Sequence, residues 1–120
     1  MLPQEISRRA IADHQRELEL LLTPSLFWFR GHFSQLPILP GVAQVDWVLH
    51  YARHTGLICG QFGGIENVKF QYPVRPGQRL LLSLEWRQPQ RQLQFRYQLI
   101  HQPDADEPIT VSSGKIKICP

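Results

Sequence analysis

Residues 30–56 read RGHFSQLPILPGVAQVDWVLHYARHTG, and this stretch decides the fold because it holds the one convincing helical period in the chain. After Pro40 and Gly41, the residues Val42, Val45, Val48, Leu49 and Ala52 recur at intervals of three and four until Gly56 stops the pattern. The spacing predicts a single helix over about 41 to 55. Pro40 suits the entrance, where its fixed φ and missing N–H do no harm, and Gly56 suits the left-handed position that closes a helix.

Outward from that helix the pattern alternates. Leu80, Leu82, Leu84 and Trp86 share one face of a strand, Leu93, Phe95, Tyr97 and Leu99 share a face of the next, and the break at 88–90 turns between them as an antiparallel hairpin. Ile109 and Val111 have opposite parity from Ile116 and Ile118, which predicts a slip of phase at Ser112, Ser113 and Gly114, where glycine permits a bulge. Val68, Phe70 and Tyr72 alternate ahead of the PVRPG turn at 73–77, and Leu18, Leu20 and Leu22 alternate after a polar break at 13–15. Residues 4–12 fit a helical turn or an edge strand paired with 15–22, and the pairing is the preferred reading. The expected architecture is α+β: one domain over 1–120, with one central helix and five or six antiparallel strands. The helix is the only element available to cover the sheet's apolar face.

Length and composition narrow the function classes. A chain of 120 residues can bury a core without disulfides or a structural metal. Cys59 and Cys119 lie far apart with no CxxC pair, so a reducing compartment is expected. The amino terminus has no apolar signal core, and Glu19, Thr23, Pro24 and Ser25 interrupt the most apolar stretch before it could span a bilayer. A soluble cytoplasmic protein with no membrane role is therefore expected. Thirteen Lys and Arg against 10 Asp and Glu leave a net charge of +3, too mild and too dispersed to indicate nucleic acid.

The chemistry lies in the loop ahead of the helix. Pro37 and Pro40 restrict the backbone, Gly31 and Gly41 permit close approach, and His32 is held between them. The helix start leaves unpaired N–H groups near Gly41 and Val42 at the positive end of the dipole, able to polarise a carbonyl oxygen. Asp46, four residues after Val42 and three before Leu49, is expected on or beside the apolar stripe, where a desolvated carboxylate holds its proton and can donate it. A base, an acid and a polarised carbonyl together describe an elimination next to a carbonyl. The residue types alone also fit a packing or capping histidine and a solvated aspartate at the stripe's edge.

The stretch GHFSQLPILPGVAQVD resembles the signature GHFPxxPxxPGxxxxE/D of the 3-hydroxyacyl-(acyl carrier protein) dehydratases of the FabA/FabZ type. Gly31, His32, Phe33, Pro37, Pro40, Gly41 and Asp46 fall at the family spacing, with the acid fourteen positions after the histidine. A second block, GIENVKFQYPVRPGQRL at 64–80, is similar to the family's following strand and turn. LPGVAQVDW also looks like the small dehydratases of aryl-polyene clusters. The resemblance implies a hotdog fold, with a long helix wrapped by an antiparallel sheet.

For mechanism, the resemblance implies that His32 removes the C2 proton of a 3-hydroxyacyl thioester and orients its hydroxyl. Asp46 helps that hydroxyl leave as water, and the Gly41 N–H binds the thioester carbonyl. Histidine and acid of one site are expected from different subunits, so the chain is expected to work as a homodimer or higher homo-oligomer. Phe33 and Pro37 are expected to shape the loop, and Val42, Trp47 and Phe62 either line the acyl tunnel or belong to the core. No cofactor or metal is expected beyond the phosphopantetheine arm carried by the substrate. An acidic acyl carrier protein is the expected partner, with Arg30, Arg75 and Arg79 as candidate contacts.

Three positions depart from the family pattern: Ser34 replaces a proline, Gln61 stands where a gating tyrosine is frequent, and Gln78 replaces the turn aspartate; the acid is Asp, as in the FabA-type branch, rather than the Glu of the FabZ type. Three other readings compete. Asp46, His50 and His54 recur at helical spacing as possible metal ligands. A hotdog thioesterase would use the helix carboxylate to activate water. A non-catalytic acyl-binding subunit would keep the tunnel and serve an active partner.

Overall fold

Period-two patterning sets six of the seven elements. The computed structural model describes residues 2–23, 38–101 and 107–120. Within them the chain forms β1 (Gln4–Ala12), β2 (Gln15–Leu21), α1 (Gly41–His54), β3 (Gln61–Phe70), β4 (Arg79–Arg87), β5 (Gln92–Ile100) and β6 (Ile109–Cys119). The strands make one antiparallel sheet in the order β1-β2-β4-β5-β6-β3, which leaves β1 and β3 at its edges. The ambiguous segment 4–12 is thus an edge strand, paired with β2 as expected.

Cross-strand register explains why the leucines fall where they do. Leu80 faces Leu99, Leu82 faces Tyr97, Leu84 faces Phe95 and Trp86 faces Leu93, so both apolar sets of the hairpin point to one side. Leu18 and Leu20 of β2 join them, and these leucines are at most 2% exposed. Each contributes on the order of 2 kcal/mol by leaving water.

The slip of phase in β6 is present but lies one position earlier than expected. Tyr97 pairs with Ser112 and Gln98 with Thr110, which makes Val111 the extra residue and buries Val111 and Ser112 in succession. The bulge turns the Val111 carbonyl toward the β3–β4 connection, where it accepts from the N–H groups of both Gln71 (2.8 Å) and Tyr72 (3.2 Å). Gly114 pairs regularly with Phe95 and Val68 and serves close packing instead.

The helix ends as its sequence requires, with Thr55 bonded back to Tyr51 and Gly56 at φ +74°. Its buried face is Ala43, Gln44, Trp47, Val48, Tyr51 and Ala52. That corrects the expected stripe. Val42 is 65% exposed, and Val45 and Leu49 pack only against the core's margin, so the period of three and four mixed two adjacent faces. One face covers the sheet, and the other is an apolar ridge left open.

A buried polar network fixes the helix over the sheet. The Tyr97 hydroxyl donates to the Gln44 carbonyl and the Ser112 hydroxyl to the Gln44 side-chain oxygen, both at 2.7 Å, with all three residues at most 3% exposed. Burial raises Tyr97 well above the usual phenol range, so its O–H remains a donor at any physiological pH. Among the described residues no helix is long and apolar enough to cross a membrane.

Candidate functional site

The start of α1 is bare backbone held in a defined place. Pro40 sits at φ −64° and ψ 151°, no side chain caps the helix, and its first turn carries no acidic residue. Leu39, 4% exposed, donates its N–H to the Val74 carbonyl at 2.8 Å, which ties the helix entrance to the β3–β4 connection. In that connection the Gln78 side chain accepts from the Arg75 N–H at 2.8 Å, so the residue that replaces the family's turn aspartate still caps the turn.

Phe70, the last residue of β3, lies against the helix entrance. A Cβ on Gly41 would stand 2.7 to 3.0 Å from three atoms of the Phe70 ring, so glycine is what lets the aromatic wall approach the backbone. The outer part of that ring remains open, as do Tyr72, Ile38 and Val42 beside it. Phe70 therefore sets an apolar surface against the helix start, where the first N–H groups lie at the positive end of the dipole, a setting suited to a carbonyl on an apolar chain.

Asp46 follows on the second turn. It is exposed in the single chain and lines an open groove of 470 Å³ with Leu2, Trp47, Leu49, His50, Arg53 and His54. The expected desolvation is therefore not supplied by the chain's own sheet. Asp46 stands beside the open ridge of Val42 and Leu49, off the covered face.

The other sequence-predicted residues divide clearly. Arg30, His32, Phe33 and Pro37 lie outside the described residues. Trp47 is core at 2% exposure, whereas Val42 and the β3 residue Phe62 are open to solvent. Arg75 is exposed on its turn, and Arg79 is engaged with Glu19 of β2 at 2.9 Å. Phe70 and Tyr72 were missed as site residues because their alternation with Val68 reads as core. The available signal was that they close a strand leading straight into a Pro- and Gly-rich turn, where apolar side chains outlast the sheet that would cover them.

The helical set Asp46, His50 and His54 does not make a metal centre: among the described residues no group of three or more His, Cys, Asp or Glu converges for one. His50 and His54 stack instead, ring centroids 4.0 Å apart. Burial first, then charge on His54 and Arg8, holds His50 below the usual histidine range, with Glu5 acting in the opposite sense. His50 therefore binds fewer protons folded than unfolded. Its contribution to stability is complete above the unfolded value near 6.5 and is lost as pH falls below it. Urea midpoints are expected to drop between pH 7 and pH 5, and to drop less in His50→Gln; parallel curves for the two chains would remove His50 as the cause.

Comparison with known proteins gives concordant matches. A family model described as ApeI dehydratase, ApeI-like, matches residues 8–114. A chain of the dehydratase heterocomplex ApeI:P from Xenorhabdus doucetiae is 47% identical with a TM-score of 0.89, each chain covered in full. An uncharacterised protein from Erwinia carotovora subsp. atroseptica is 46% identical with a TM-score of 0.86, covering 100% of this chain and 98% of that one. The 3-hydroxyacyl-[acyl-carrier-protein] dehydratase FabZ of Erythrobacter litoralis is 41% identical over 70 residues, a match spanning 51% of this chain and 46% of that relative.

Proposed function

Because the chain belongs to the ApeI-like dehydratase family, whose model covers residues 8–114, and has the hotdog fold, we propose that it eliminates water from a 3-hydroxyacyl thioester to give the trans-2-enoyl thioester. The observation that carries this reading is the uncapped helix start walled by Phe70, with Asp46 one turn further along the same helix. The Gly41 N–H donates to the thioester carbonyl and stabilises the negative charge that grows there. His32 takes the C2 proton, the C2–H electron pair becomes the new C2=C3 bond, and the C3–O bond breaks. The hydroxyl leaves as water with a proton supplied by Asp46.

An acyl carrier protein as the thioester's bearer is supported by the names of the FabZ relatives. Assembly is supported by the β3 edge. Phe62, Ile65 and Phe70 on β3, with Tyr72, Ile38 and Val42 beside it, are each between 44% and 65% exposed, and an open strand edge with such side chains recruits another strand. A second hotdog chain there would cover the ridge of Val42, Val45 and Leu49, and would remove water from Asp46. The partner is a second copy or, as the heterocomplex relative suggests, a different chain of the same fold. Molar mass in solution separates the two: a dimer of the purified chain supports the first, and a monomer that dimerises only with another hotdog chain supports the second.

The activity test uses 3-hydroxyacyl thioesters of several chain lengths on carrier protein and on coenzyme A, followed by enoyl absorbance. Asp46→Asn is expected to lower kcat by about 10²-fold, because an amide cannot supply the proton that the leaving hydroxyl takes. Thiol release without enoyl formation would replace the dehydratase reading with a thioesterase. No turnover on any substrate would leave an acyl-binding subunit.

A further inference from the structure

We propose that Tyr97 and Ser112 are positioning residues for the dehydration: from beneath the first turn of α1, their hydroxyl groups set the depth at which the Gly41 N–H meets the substrate carbonyl beside Phe70. This role rests on the dehydratase reading for the reaction and on the sheet for the placement. In β6, Ser112 pairs with Tyr97 of β5 on one side and with Phe70 of β3 on the other. Residues directly opposite one another in antiparallel strands share a face, so the three form one row directed at the helix. Each of them meets its first turn. Tyr97 donates to the Gln44 carbonyl and Ser112 to the Gln44 side-chain oxygen, both at 2.7 Å, while the Phe70 ring closes on Gly41.

Ser112 stands in that row only because β6 is bulged. Alternation from Ile109, opposite Leu99, would carry Val111 opposite Tyr97 and turn Ser112 outward beside Arg96. With Val111 as the extra residue, a hydroxyl takes the place that a valine would fill in a regular strand. Stability alone does not favour the exchange, because a buried hydroxyl and amide must offset each other's lost hydration and an apolar pair of the same shape holds about as well. What the hydrogen bonds add is direction. An apolar contact lets a helix slide, whereas two bonds to one residue fix its turn both along and across the sheet. The turn needs that anchor: no side chain caps it, and a cap would occupy N–H groups that the carbonyl requires. The same bulge presents the Val111 carbonyl to the N–H groups of Gln71 and Tyr72, directly after Phe70. One irregularity in β6 therefore fixes both the helix start and the aromatic wall beside it.

The test compares the wild-type chain with Tyr97→Phe, Ser112→Ala, the pair Gln44→Met/Ser112→Ala, and Ile116→Val, a core change about 13 Å further along β6. On a 3-hydroxyacyl N-acetylcysteamine thioester, Tyr97→Phe and Ser112→Ala are each expected to lower kcat about tenfold with KM within about twofold, and Ile116→Val to leave both unchanged. Gln44→Met/Ser112→Ala removes both partners of one bond, so its urea midpoint is expected to return toward the wild type while kcat stays low. A kcat that recovers together with stability overturns the proposal, as does an equal fall in Ile116→Val. A second measurement needs no turnover. Because the Phe70 ring lies against Gly41, the Gly41 α-protons carry a ring-current shift in NMR that reports the distance between helix start and wall. That shift is expected to shrink in Tyr97→Phe and Ser112→Ala and to persist in Ile116→Val; an unchanged shift in the hydroxyl variants overturns the proposal. A wild type inactive on the thioester would sink the dehydratase reading, while the NMR shift would still decide the positioning.

Discussion

Replacing His32 with alanine is expected to lower kcat/KM for a 3-hydroxyacyl thioester by roughly 10²- to 10⁴-fold, or about 3 to 5 kcal/mol of transition-state stabilisation. The reason is chemical. A C2 proton is removed only as negative charge moves onto the thioester oxygen, and the helix N–H groups at Gly41 can stabilise that charge but cannot accept the proton. Imidazole is the side chain whose ordinary titration range allows it to be a base near neutral pH and then to release the proton again. The same experiment reads the assembly. If base and acid of one site come from different protomers, His32→Ala and Asp46→Asn chains unfolded and refolded together recover about a quarter of wild-type activity, because half the dimers are mixed and each holds one intact site. Recovery is absent if both groups come from one chain. His32→Ala retaining more than a tenth of wild-type activity would remove it as the base.

The strands were legible in this sequence because one face of the sheet is buried and the other is wet. Leu80, Leu82 and Leu84 against Leu93, Phe95, Tyr97 and Leu99 could be read from period two alone, and their register follows from it. The helix was legible as an element and less so in its orientation. Val42, Val45 and Leu49 look like core in any count of apolar spacing, yet Gln44 is 3% exposed and Val42 is 65% exposed. The inversion follows from hydrogen bonding. Gln44 can be buried because Tyr97 and Ser112, distant in sequence, reach its carbonyl and side chain, and no local pattern announces such a pair. The bulge was displaced for a related reason: the sequence marks it by Gly114, whereas the carbonyl that serves two partners belongs to Val111.

The placement of Gly41 and Asp46 on the helix was legible from their spacing after Pro40, and their surroundings were not. Gly41 and Asp46 stand on the first and second turns of α1, as their positions after Pro40 require. The solvation of Asp46 depends on what covers the open ridge of α1, which lies beyond a single chain's own contacts. Phe70 was hidden because an aromatic residue at the end of a strand reads as core until the strand is known to lie at an edge. Arg79 illustrates the converse. Its flanking position suggests a carrier contact, and only the β2–β4 register shows that Glu19 already lies beside it.

Gly114→Val is expected to cost about 3 kcal/mol or more, enough to remove a large share of the roughly 5 to 15 kcal/mol that holds a domain together. Gly114 lies in β6 between β5 and β3. A Cβ there would stand 2.5 Å from the Asn67 carbonyl oxygen, 2.7 Å from a Val68 methyl and 3.0 Å from the Phe95 ring. The first contact is with backbone, and neither flanking strand can retreat without lengthening its ladder. Gly56 provides the contrast: an added Cβ meets nothing within 4 Å, but φ is +74°, so Gly56→Ala is expected to cost only about 1 kcal/mol, through conformation alone. Urea denaturation of the two variants separates crowding from backbone strain. Adding Val68→Ala to Gly114→Val relieves the methyl contact and leaves the carbonyl in place, so recovery should stay below about half of the loss. Full recovery would move the clash from the Asn67 carbonyl to Val68, and with it the reason this central strand needs a glycine.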